Sequence, residues 1–257
     1  MTSENLLFIL TLFSMAMYAL SGVIYIFNKK KVAFIFTVVG WISNLGIILV
    51  HWIVNSYPPF ANIYQILSVL SFILPIISVL ILKFKSDLNF TFVYFILGAI
   101  VPLLGTLFME NEIKWALVPA LQSVWFVPHV FSYMISYALA AVAFLMTVRF
   151  FVYKNKKEQS FNATVVIVRL ALPFMINGLV LGAIWADQIW GNFWQWDIKE
   201  IWSLITCLFY LAGLHFVKDK RKKITIIIFI LGFVSLIITF FFVNVLPGAV
   251  DSQHTYS

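Results

Sequence analysis

Eight apolar runs, each long enough to cross about 30 Å of hydrocarbon, follow one another along this chain. They lie at residues 5–27, 32–54, 62–82, 88–108, 129–153, 165–186, 200–217 and 224–246. Inside a bilayer no water is present to satisfy backbone N–H and C=O groups, so runs of this kind are helices. Composition points the same way: 63% hydrophobic residues, 11% charged residues and a mean hydropathy of +1.01 exclude a soluble domain of 257 residues. The expected fold is all-α, a polytopic integral membrane protein of about eight transmembrane helices. With no Pro/Ser-rich linker, low-complexity tail or clear internal repeat, the whole of 1–257 reads as a single transmembrane domain.

The first run is too long for a secretory h-region, has no basic stretch before it and is followed by Lys29, Lys30 and Lys31. It reads as a retained helix with its N-terminus outside. The net charge of +7 suggests nucleic acid until its placement is examined. Lys29–Lys31, Lys83, Lys85, Arg149, Lys154, Lys156, Lys157, Arg169 and the run from Lys218 to Lys223 fall at alternate ends of successive helices, and therefore on one face. By the positive-inside rule that face is cytoplasmic. Both termini and the segments 55–61, 109–128, 187–199 and 247–257 are then outside, with fifteen of seventeen basic residues inside. The charge reports topology and an anionic lipid neighbour, not a nucleic acid.

Chemistry has few carriers here. The lone cysteine, Cys207, excludes an intrachain disulfide, a CxxC pair and a CxxCH haem attachment site, and suits a small apolar filler. Among the four histidines, His129 follows Pro128 at the outer start of the fifth run, and His254 lies eight residues past the eighth. Eight extended residues reach roughly 27 Å, so the tail can bring His254 opposite His129 although the two are 125 positions apart. His215 comes eighteen residues after Asp197, hence roughly 27 Å along a helix toward the inner face. It is either a ligand or a histidine hydrogen-bonded at a helix end. His51, near the outer end of the second run, cannot reach the same iron as His215, so a histidine mate for His215 must come from another chain. His51 itself is the weaker candidate.

The densest aromatic feature is WADQIWGNFWQWDIKEIWSL, residues 185–204, with five of the nine tryptophans: Trp185, Trp190, Trp194, Trp196 and Trp202. An indole cluster beside lipid is either an interfacial anchor or a platform for a planar apolar ligand. An anchor spreads its rings over many helix ends, whereas five in one outer loop favour a local surface. Flanked by His129 and His254, such a surface suits haem, since imidazole ligates iron and porphyrin is flat and apolar. Haem propionates want a cation, and Lys199 lies within the segment, where pairing with Asp197 or Glu200 is the alternative. Asp197 and Glu200 have the D-x-x-E spacing of a capping box, which starts a helix without any catalytic role.

WGNFWQWDIKEIWSL, residues 190–204, resembles the WWD signature WGxxWxWDxKExxxL of the haem-handling superfamily that includes the CcsA/ResC, CcmC and CcmF families of cytochrome c biogenesis. PALQSVWFVPHVFSYMISYALAA, SYPPFANIYQILSVLSF and the closing VNVLPGAVDSQHTYS resemble further CcsA segments, so the likeness extends over most of the chain. Eight helices and the chain length favour CcsA/ResC over the six-helix CcmC and the much larger CcmF. The resemblance implies haem b as bound substrate, with His129 and His254 as axial ligands of an outer site. It implies that an external segment at about 187–203, carrying Trp190, Gly191, Trp194, Trp196, Asp197, Lys199 and Glu200, shapes that site, and that His215 ligates a transmembrane haem. It implies a CcsB/ResB-type membrane subunit and apocytochrome c as partners, no catalytic side chain beyond haem positioning, and a bacterial cytoplasmic membrane, or a thylakoid membrane if plastid-encoded. One departure stands out: the family usually has proline after the WWD aspartate, and this chain has Ile198, which is expected to loosen the cap. The alternatives are a CcmC-type haem carrier without ligation activity and an electron-transfer cytochrome b.

Overall fold

The computed structural model describes residues 2–109, 114–217 and 221–242, and within them every regular element is helical. The helices are α1 (Ser3–Ile26), α2 (Lys30–Asn55), α3 (Ile63–Phe84), α4 (Phe92–Thr106), α5 (Phe126–Val152), α6 (Lys157–Trp190), α7 (Ile198–Phe216) and α8 (Lys222–Ile237), the last followed by a π turn over Ile238–Phe242. A 3-10 stretch, Ser86–Thr91, leads into α4 and brings that span to 21 residues. Among the described residues eight helices are long and apolar enough to cross a membrane. Contacts group the chain into two compact units, one ending at Leu121 and one beginning at Gln122.

In the first unit α1 packs on α2 and α4, α2 on α3, and α3 on α4, a closed ring of four helices. Its interior is hydroxyl-rich. Thr11, Ser14, Tyr18 and Ser21 line one stripe of α1, and Tyr64, Ser68, Ser71 and Ser78 one stripe of α3, all buried at the three- and four-residue spacing of a helix face. Leucine and phenylalanine occur on both sides: Leu7, Leu74, Phe95 and Leu103 are buried with the hydroxyls, while Phe8, Leu12, Phe34 and Leu49 face outward, where lipid solvates them as well as a core does. Some of these polar groups pair across helices: Ser21 and Thr37 meet at 2.7 Å, Ser71 Oγ donates to the Ala99 carbonyl at 2.7 Å, and the Asn44 amide meets Ser71 Oγ at 2.9 Å, whereas the hydroxyls of Thr11, Tyr18 and Ser78 are buried without a hydrogen-bond partner. Asn62 caps α3 by accepting the Gln65 N–H at 2.9 Å. In the loop before it, Tyr57 donates to the Trp115 carbonyl at 2.8 Å, and burial pushes its phenol above the usual tyrosine range.

The second unit repeats the neighbour pattern: α5 packs on α6 and α8, α6 on α7, and α7 on α8. Phe144 stacks on Phe233 at 4.4 Å, and Tyr210 on Phe229 at 5.9 Å. The two ends differ in chemistry. At one, Arg149 donates to Ser160 Oγ at 2.7 Å and to Gln159 Oε1 at 2.9 Å, and Lys222 pairs with Glu158, so α5, α6 and α8 meet in a basic belt. The other carries the tryptophans.

Helix ends supply the main corrections to the sequence reading. α6 runs over 157–190 rather than 165–186, about 51 Å in all, so it is far longer than one bilayer crossing. Trp185 and Trp190 are therefore helical and only Trp194 and Trp196 lie in the non-helical connection, so the five indoles do not share one loop. Arg169, expected at the cytoplasmic edge, is the thirteenth residue of this helix, roughly 18 Å along it. α5 begins at Phe126, three residues earlier than expected, which makes Pro128 a first-turn residue whose missing N–H costs nothing.

Candidate functional site

At the tryptophan end of the second unit His129 lies on α5 facing α6. Its Nδ1 is 2.9 Å from the Gly178 carbonyl oxygen, and because a carbonyl only accepts, Nδ1 carries the proton. In the neutral ring this leaves the acceptor lone pair on Nε2, the arrangement a histidine adopts when its second nitrogen ligates a metal. The ring fits against α6 only because residue 182 is glycine: a Cβ there would stand 2.6 Å from His129 Cε1 and 2.7 Å from Nδ1. Tyr133 meets the imidazole edge-on at 5.1 Å, and Trp185 stacks on it at 5.6 Å. One turn further along α5, Ser132 Oγ accepts from the Asn177 amide at 2.9 Å, which pins the same α5–α6 register. His129 is thus held from four directions.

The tryptophans divide into two groups. Trp185 is only 2% exposed, packed against Phe126 at 5.5 Å and Trp190 at 5.1 Å. It supports the imidazole from within instead of offering a surface. Trp196 is 67% exposed and meets Trp194 edge-on at 5.8 Å, and Phe193, Val124 and Trp125 are exposed at the same end. Together these side chains form an exposed apolar surface at this end of the unit.

Between α6 and α7 the chain turns twice. Gly191, at φ 75°, ends α6 with its N–H donating to the Asp187 carbonyl at 2.8 Å, a left-handed cap that explains glycine there. Trp196 is also left-handed, at φ 57°, where an indole costs about 1–2 kcal/mol. Asp197 then caps α7: its Oδ1 accepts the Lys199 N–H at 2.8 Å, while Glu200 Oε2 accepts the N–H groups of Asp197 at 3.1 Å and Gln195 at 2.9 Å. The capping box is complete with Ile198 as the first helical residue, so the missing proline does not loosen it. Lys199 is half-buried in the same first turn.

The other histidines lie elsewhere. His215 is exposed, near the end of α7 toward the basic belt, with Phe216 edge-on at 6.2 Å. His51 belongs to the first unit, buried on α2 beside Tyr64 at 5.0 Å, with no hydrogen-bond partner for either ring nitrogen. His254 lies outside the described residues. Cys207 is a buried free thiol, as expected of a filler. Among the described residues no group of three or more His, Cys, Asp or Glu side chains converges to hold a metal ion.

The model of the cytochrome c assembly protein family matches residues 3–250. The chain belongs to that family. It is 29% identical to a cytochrome c biogenesis protein CcsA of Guillardia theta over 97% of this chain and 95% of that protein. It is 30% identical to the CcsA of Trieres chinensis over 97% of this chain and 96% of that one, and 31% identical to the CcsA of Chlamydomonas reinhardtii over 73% and 58%. Three residues that pack around His129 carry no ligand chemistry of their own in the sequence: Tyr133, Gly178 and Gly182. The spacing of Gly178 and Gly182, small residues four apart on an apolar helix, is the sequence signal that would have found them, since it marks a face where another helix comes close.

Proposed function

We propose that this cytochrome c assembly protein presents haem b for covalent attachment to apocytochrome c, acting with a CcsB/ResB-type membrane subunit. The observation that carries the reading is the setting of His129: a protonated Nδ1 on the Gly178 carbonyl, an acceptor Nε2, and a ring seated in the notch left by Gly182. His129 and His254 are the two axial ligands, and the exposed Trp194–Trp196 face carries the porphyrin plane. Lys199 is the nearest cation for a propionate, and Trp190, Gly191, Asp197 and Glu200 fix the course of the chain around it. The tryptophan end is then extracytoplasmic and the basic belt cytoplasmic, with both termini outside. The membrane is a bacterial cytoplasmic membrane, or a thylakoid membrane for a plastid-encoded chain.

Haem is cargo in this scheme. It reaches the outer site from the cytoplasmic side by way of His215, whose second axial ligand belongs to the partner subunit. At the outer site each thiol of the acceptor CxxCH adds across a vinyl group, sulfur to the carbon next to the ring and hydrogen to the terminal carbon, with no net oxidation. The acceptor histidine then displaces one of the two imidazoles. This chain contributes orientation and iron ligation, and the nucleophiles are the substrate's own.

The test is co-expression with its partner in a host lacking other maturation systems, with purification and absorption spectra of wild type, His129→Gly, His254→Gly and His215→Gly. The reading requires covalent cytochrome c, a haem-loaded wild-type complex, and outer variants that lose haem and regain it with imidazole. Colourless wild type, or spectra unchanged in both outer variants, overturns it. A complex that binds haem yet attaches none is a carrier of the CcmC type.

A further inference from the structure

The first unit keeps polar residues in one register on its helices. Thr11, Tyr18 and Tyr25 of α1 stand seven residues apart, as do His51, Asn44 and Thr37 of the returning α2, and Tyr64, Ser71 and Ser78 of α3. Seven residues are close to two full turns, so each series lies on one helix face in steps of about 10 Å. The series meet as layers. In the first, the rings of His51 and Tyr64 are 5.0 Å apart, and the Tyr64 hydroxyl faces Thr11 and, from α4, Thr106. In the second, Tyr18 faces Asn44, Asn44 meets Ser71 Oγ at 2.9 Å, and Ser71 donates to the carbonyl of Ala99, seven residues from Thr106. In the third, Tyr25 stacks at 4.5 Å on Phe92, seven residues further along α4, with Thr37 and Ser78 in the same register.

Hydroxyls between membrane helices often serve only to fasten them together, as Ser21 and Thr37 do here. These layers differ because each holds a buried polar atom that no protein group meets: Thr11 Oγ1 and both ring nitrogens of His51 in the first, the Tyr18 hydroxyl in the second and Ser78 Oγ in the third. Thr11, His51 and Ser78 are 1% exposed and Tyr18 is 0% exposed. Their guest must be small, since a Cβ at Gly40 of α2 would already stand 3.0 Å from the Tyr18 ring. It must also both donate and accept hydrogen bonds. Among the described residues of α1–α4 no carboxylate, lysine or arginine is buried, so neither a metal cation nor an organic anion is matched. Water is matched, because a buried water needs only a few polar partners within reach.

We infer that ordered water bridges the three layers and that the interior of the first unit relays protons, with His51 as the group that accepts and releases them. An imidazole holds a proton on either of two nitrogens, which no other side chain of the layers does. A proton that binds one nitrogen lets the other release its own to the next water, and rotation of the ring restores the starting tautomer. Only N–H and O–H bonds change. Ser14, Ser21 and Ser68, all buried, stand between the layers. Both ends are polar as well. Beside Tyr64 the buried Gln65 faces Tyr57 of the loop before α3, and Glu4 stands exposed seven residues before Thr11. At the opposite end the Tyr25 hydroxyl donates to the Asn89 carbonyl at 2.8 Å, with the Lys30 ammonium 5.9 Å over its ring. Histidines within membrane helices recur in such relays.

The experiment places the full chain in lipid vesicles that hold a pH-sensitive dye, with a proton gradient imposed and potassium with valinomycin as counterflow. Wild type is expected to dissipate the gradient faster than protein-free vesicles do. His51→Gln keeps a hydrogen-bonding side chain but has no titratable nitrogen, so its rate is expected to fall to the protein-free level. Asn44→Leu, which makes the second layer apolar, is expected to fall as far; should it fail to fold, His51→Gln still decides. Radiolytic hydroxyl labelling in the same vesicles reads the water itself. Tyr18 and Tyr64 are expected to label in wild type and in His51→Gln despite their burial, and Tyr18 to lose its label in Asn44→Leu. A wild-type rate no faster than protein-free vesicles, or one unchanged in His51→Gln, overturns the relay. Unlabelled Tyr18 and Tyr64 in wild type overturn the bound water and the inference with it.

Discussion

His51 and His129 both sit on a helix with a tyrosine ring about one ring's width away, at 5.0 Å for Tyr64 and 5.1 Å for Tyr133, yet their surroundings oppose each other. His51 is sealed among the four helices of the first unit, 1% exposed, with neither ring nitrogen hydrogen-bonded. His129 is half-exposed, with one nitrogen committed to a carbonyl and its ring wedged against α6 by a missing side chain. A ligand needs an oriented ring that is not sealed in a core, and of these two only His129 is both hydrogen-bonded and partly exposed. A histidine buried without partners instead leaves unsatisfied polar atoms in a core, at about 1–3 kcal/mol each.

The comparison breaks first if the two histidines behave alike on removal. His129→Gly is expected to abolish outer-site haem in the purified complex and to regain it with added imidazole. His51→Phe is expected to keep wild-type haem content and to melt no lower than wild type, since it exchanges unpaired nitrogens for apolar area. Loss of haem in His51→Phe at normal expression, read from the absorption spectrum, would place a second ligand in the first unit.

A smaller effect sharpens the role of the notch. Gly182→Ala puts a methyl group where the His129 ring lies, so the imidazole must swing away from the Gly178 carbonyl. Haem affinity at the outer site is expected to fall about tenfold or more, the usual cost of losing a ligand's supporting shell. Gly98→Ala is the matched control in the first unit. A Cβ there meets Leu74 only at 4.0 Å, so it gains helix propensity and leaves haem titration untouched.

What the sequence makes legible follows from how each feature is encoded. Eight spans are visible because bilayer thickness and backbone hydrogen bonding leave one solution for apolar runs of that length. The capping box is visible because D-x-x-E is local chemistry. The length of α6 is not, since Ala186, Asp187 and Gln188 look like a loop by polarity, although nothing in them breaks a helix and the first breaker is Gly191. The same misreading scattered what is really a buried support, Trp185, among the exposed rings. The place of Arg169 inside α6 is hidden in the same way, because a basic residue near an expected helix end reads as topology until the true start at Lys157 is known.

The strained indole gives a further contrast. Trp196 holds a left-handed backbone at a cost that a small residue avoids, so Trp196→Gly is expected to raise the melting temperature of the complex slightly while lowering haem retention. If retention holds, the exposed ring is an anchor in the headgroup layer and the porphyrin lies elsewhere.

Ile198 gives the smallest expected effect and tests the cap itself. Its position is the first residue of α7, where a backbone N–H has no intrahelical acceptor and proline's fixed φ is already helical. The capping box is closed by the N–H groups of Asp197 and Glu200, with those of Gln195 and Lys199 beside them, and proline at 198 would remove none of these. Ile198→Pro is therefore expected to change the melting temperature and cytochrome c yield very little, whereas Asp197→Ala costs about 1 kcal/mol with the cap lost. A large gain in yield on installing the proline would mean that the turn before α7 is looser during haem handling than its hydrogen bonds imply.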